Sequence, residues 1–93
     1  MSTFSFAYAV TVSYSTTREE STIALFKRAD QAWDFIMGSK AHDEERGYHI
    51  LSKDDAFREA GINREEAPLD CCGYAVRLPD GITAAYKLRA DTY

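Results

Sequence analysis

Hydrophobic and polar positions alternate most regularly near the N-terminus. Phe4, Phe6, Tyr8, Val10, Val12 and Tyr14 take every second position, with Ser5, Ala7, Ala9, Thr11 and Ser13 between them. Side chains on a strand point alternately to opposite faces, so this spacing predicts a long strand over 4–14 with its even-numbered face on the core. The polar run 15–20 predicts the turn that follows.

Residues 21–28 fit two patterns. As a second strand pairing back on the first, they carry Thr22 and Ile23 as β-branched support. As the first half of a long helix, Thr17 and Glu20 have capping-box spacing, and Thr22, Phe26, Ala29, Trp33 and Ile36 keep helical spacing. Asp30 tips the reading to the hairpin. It is a good N-cap for a self-sufficient helix with Ala32, Trp33, Ile36 and Met37 on one face and Gly38 as C-cap, and the polar run 39–46 after it fits either a continued helix turn or a loop.

Residues 48–51 are a short apolar run, read as a third strand. Ser52 caps a second helix, with Asp55 three residues on, Ala56, Phe57 and Ala60 on its apolar side, and Gly61 at its end. Asn63 caps one further turn over 64–67, before Pro68. The C-terminal pattern is a hairpin: 72–78 and 82–89 joined by Pro79-Asp80-Gly81, a turn in which Gly takes positive φ freely. Cys72, Tyr74, Val76 and Leu78 share one face of the first arm, and Ile82, Ala84, Tyr86 and Leu88 one face of the second. Arg77, Thr83, Lys87 and Arg89 lie on the alternate positions, which predicts one buried side and one wet side.

The expected fold is a single α+β domain over 1–93, in the order ββα(β)αββ. It has a small antiparallel sheet of three to five strands and two short helices on one face. The aromatic face of the first strand, Trp33 and Phe57 are expected to form one core.

Composition adds a bias of charge. The chain of 93 residues has a net charge of −4. Residues 41–70 hold nine acids and four bases, a net of −5, while 1–40 balance and 71–93 carry +1. A negative field repels phosphate backbones, so direct binding of DNA or RNA is disfavoured and a basic partner suits it. No stretch approaches the ~20 apolar residues of a membrane span. Met1-Ser2-Thr3 runs into the first strand without a secretory leader, and Cys71 and Cys72 give no disulfide framework, so a cytoplasmic location is expected.

Candidate chemistry is thin. His42, His49, Cys71 and Cys72 lack the paired spacing of a zinc site. A catalytic thiol needs a neighbouring cation or helix N-terminus, and both cysteines instead follow Asp70. The paired acids Asp43-Glu44-Glu45, Asp54-Asp55 and Glu65-Glu66 sit among Arg46, Lys53, Arg58 and Arg64, which is the pattern of solvated helix faces. No glycine-rich phosphate loop or nucleophile elbow occurs. The aromatic first strand lacks the flanking Lys and Arg of an RNA-stacking sheet between Phe4 and Thr17.

The expected function is therefore non-enzymatic, without a cofactor or metal. It is a protein-binding domain whose acids Asp43, Glu44, Glu45, Asp54, Asp55, Glu65 and Glu66, with Tyr48 as aromatic anchor and Trp33 nearby, dock on a basic surface. In size, charge and lack of motifs it parallels phage-encoded inhibitors of bacterial defence, anti-CRISPR proteins among them, which block nucleic-acid-binding partners. No residue pattern ties it to a family. The alternative is a homodimer or other oligomer assembled through the small-residue face Ser5, Ala7, Ala9, Thr11 and Ser13 or through a strand edge.

Overall fold

The computed structural model describes residues 7–17, 19–62 and 72–90. The elements run β1 (Tyr8–Tyr14), β2 (Glu20–Phe26), α1 (Ala29–Glu45), β3 (His49–Ile50), α2 (Lys53–Ala60), β4 (Cys72–Arg77) and β5 (Thr83–Ala90). The five strands form one antiparallel sheet in the order β2-β1-β5-β4-β3. This is the expected α+β order, with 21–26 resolved as strand.

Both terminal hairpins are local, and β5 joins them by pairing with β1 from Tyr8↔Ala90 to Tyr14↔Ala84. The chain leaves the β2 edge, crosses the sheet in α1 and re-enters at the β3 edge, so α1 touches all five strands. Gly38 does not end this helix. It sits inside the 17-residue α1, and Gly47 is the capping glycine, at φ 79°. There Gly47 N–H donates to the Glu44 carbonyl and Tyr48 N–H to the Asp43 carbonyl, the two bonds of a Schellman turn. Asp30 is not the N-cap either. Arg28 holds that position, and Asp30 in the first turn pairs with the Arg28 guanidinium at 3.0 Å.

The helices cover opposite faces, which corrects the expectation of one core. Val10, Val12, Tyr74, Val76, Ala84 and Leu88 pack with Ala32 and Ile36 of α1. Ala75 and Ala85, on the alternate positions, pack with Leu51, Ala56 and Ile62 on the α2 side. The side of the C-terminal hairpin expected to be wet is thus covered at its centre. Thr83 is also buried there, while Arg77 at the strand end stays exposed. The small residues of β1 are likewise covered, with Ala9 and Thr11 both buried. The large apolar residue of α2 points out: Phe57 is 59 % exposed while Ala56 faces the sheet. Tyr14, at the end of β1, is also exposed. Phe4 and Phe6 lie outside the described residues.

Local signals fix α2. The Ser52 hydroxyl accepts from Asp55 N–H at 3.2 Å, and Gly61 closes the helix in the left-handed region at φ 71°. Gly73 is fixed by contact: a Cβ there would run into the Tyr86 carbonyl oxygen of the neighbouring β5.

Candidate functional site

Residues 43–55 turn around the β3 edge of the sheet, from the last turn of α1 to the first turn of α2. The acids 43–45 and 54–55 stand at the two ends of this stretch. Glu44, Glu45 and Asp54 are exposed. Asp55 is half-buried and pairs with Arg58 one helical turn on. Tyr48 is half-buried, packs against the α1-side core, and has the Arg46 guanidinium 6.0 Å from its ring centre. Trp33 is not nearby. It sits near the start of α1 beside Tyr8, ~18 Å of helix from Glu45. Glu65 and Glu66 lie outside the described residues.

Asp43 has a different role from its neighbours. Its Oδ2 accepts a hydrogen bond from the Tyr74 hydroxyl at 2.8 Å. Tyr74 is completely buried and stacks on Tyr86 with ring centres 5.0 Å apart. Burial, and then the adjoining Asp43 carboxylate, push the Tyr74 hydroxyl far above the ordinary phenol range, so it stays a donor at any physiological pH. The same two causes raise Tyr86. Asp43 therefore pins the end of α1 to β4.

A polar groove of about 340 Å³ on the α2 side, between the end of β1 and α2, was not visible in the sequence. Two ion pairs frame it. Glu20 holds Arg89 with two bonds of 2.8 Å, and Glu59 holds Arg77 at 2.7 Å and accepts from the Thr83 hydroxyl at 3.3 Å. The Arg89 guanidinium above all, against the opposing effect of burial, holds the Glu20 carboxyl down to about 2. A carboxylate that acidic carries no proton to donate at neutral pH. Glu20, Glu59, Arg77 and Arg89 lie on four separate elements, and no sequence spacing links them. A second groove, more apolar, lies between Tyr8, Arg28 and Trp33 at the start of α1.

His42 and His49 are exposed, and Cys72 is buried in β4. Among the described residues no three His, Cys, Asp or Glu side chains converge as a metal site. Cys71 lies outside them. No helix among the described residues is long and apolar enough to cross a membrane. Compared with known protein families, curated proteins and solved structures, the chain matches none of them.

Proposed function

We propose that this chain is a non-catalytic protein-binding domain that meets a basic partner with the stretch around its β3 edge. The observation that carries the reading is the exposure of Glu44 and Glu45 at the end of α1 and of Asp54 at the start of α2, with Tyr48 between them in sequence. Carboxylates presented this way steer a positive surface into register, and a partly buried tyrosine supplies apolar area at low entropic cost. The partner class is a protein whose Lys and Arg otherwise hold nucleic acid; covering them blocks that binding. Phage-encoded inhibitors of defence complexes, anti-CRISPR proteins among them, work in this general way, and the chain parallels them in size and net charge.

The test is affinity capture from a bacterial lysate with the parent and the Glu44→Lys/Glu45→Lys/Asp54→Lys variant side by side. Asp43 is left intact because it holds the fold. The expected result is a nucleic-acid-binding protein retained by the parent alone and displaced by added DNA or RNA. Equal retention by both baits overturns the reading.

A further inference from the structure

We draw no further inference here: the strongest candidate, the polar groove between the end of β1 and α2, carries nothing, because its carboxylates Glu20 and Glu59 are already held by Arg89 and Arg77 and nothing in the structure shows what would occupy it.

Discussion

The Tyr74 hydroxyl donates to Asp43 Oδ2 at 2.8 Å, joining a fully buried strand residue to the last turns of a helix 31 positions earlier. A hydrogen bond to a charged acceptor contributes more than one between neutral groups, and Asp43 keeps part of its surface in water. Tyr74→Phe keeps the stacking on Tyr86 and removes only the donor. Chemical denaturation is expected to show a loss of about 1–2 kcal/mol, and Asp43→Ala a similar one. The double variant should lose little more than either alone, since both remove the same bond. Full additivity would mean that the two groups do not interact in solution.

Glu20 gives the fold an acid limb. Its carboxyl falls from 4.5 to about 2 on folding, held chiefly by Arg89. A depressed acid stabilises the folded state above its unfolded pKa, and the contribution is lost as pH falls from 4.5 towards 2. Both side chains are 31 % exposed, so solvent screening reduces the contribution to about 1–2 kcal/mol at neutral pH. Glu20→Gln is expected to lose that amount at pH 7 and to melt with a flatter dependence on pH below about 4.5. A variant with the parent's acid limb would place the pair's contribution elsewhere.

Gly38 is exposed, lies inside α1, and has open space where a Cβ would stand. Glycine there loses backbone entropy on folding without any geometric need for it. Gly38→Ala is expected to raise stability by roughly 0.5–1 kcal/mol. Were Gly38 the helix cap that its local sequence suggests, the same change would lower it.

The two-sided cover of the sheet is tested at adjacent positions of α2. Phe57 is exposed and Ala56 is fully buried against the sheet. Phe57→Ser should leave thermal stability within about 0.5 kcal/mol, as an ordinary surface change. Ala56→Phe should cost about 1–3 kcal/mol by overpacking. The reverse ranking would put Phe57 in the core.

Local signals were read correctly at the C-terminal hairpin and at α2, but not at Asp30 and Gly38, which do not cap α1. Pro79-Asp80-Gly81 between two alternating arms gave the β4–β5 hairpin, and Ser52 with Gly61 gave both ends of α2. Tertiary choices were less visible. Nothing local decides between Gly38 and Gly47 as the end of α1; packing of the whole helix across five strands does. Ala56 lies on the buried side as read, but size misled at Phe57, because a sheet face made of Ala75 and Ala85 admits a small residue and leaves the large one outside. Arg77, Thr83, Lys87 and Arg89 on the alternate positions made that face look solvated, although Ala75, Thr83 and Ala85 on it are buried. Of the candidate site, the run of acids was legible as charge. That Asp43 turns inward to Tyr74 was not, since the two are neighbours only once α1 lies over the sheet.

The most direct test of the central claim is the affinity of the captured partner, measured by titration calorimetry at about 50 mM and about 500 mM salt for the parent and for Glu44→Lys/Glu45→Lys/Asp54→Lys. Contact through exposed carboxylates predicts tight binding at low salt, strong weakening at high salt, and no detectable binding by the variant while its melting curve stays that of a folded protein. Equal affinity at both salts, or a folded variant that binds as the parent does, would contradict it.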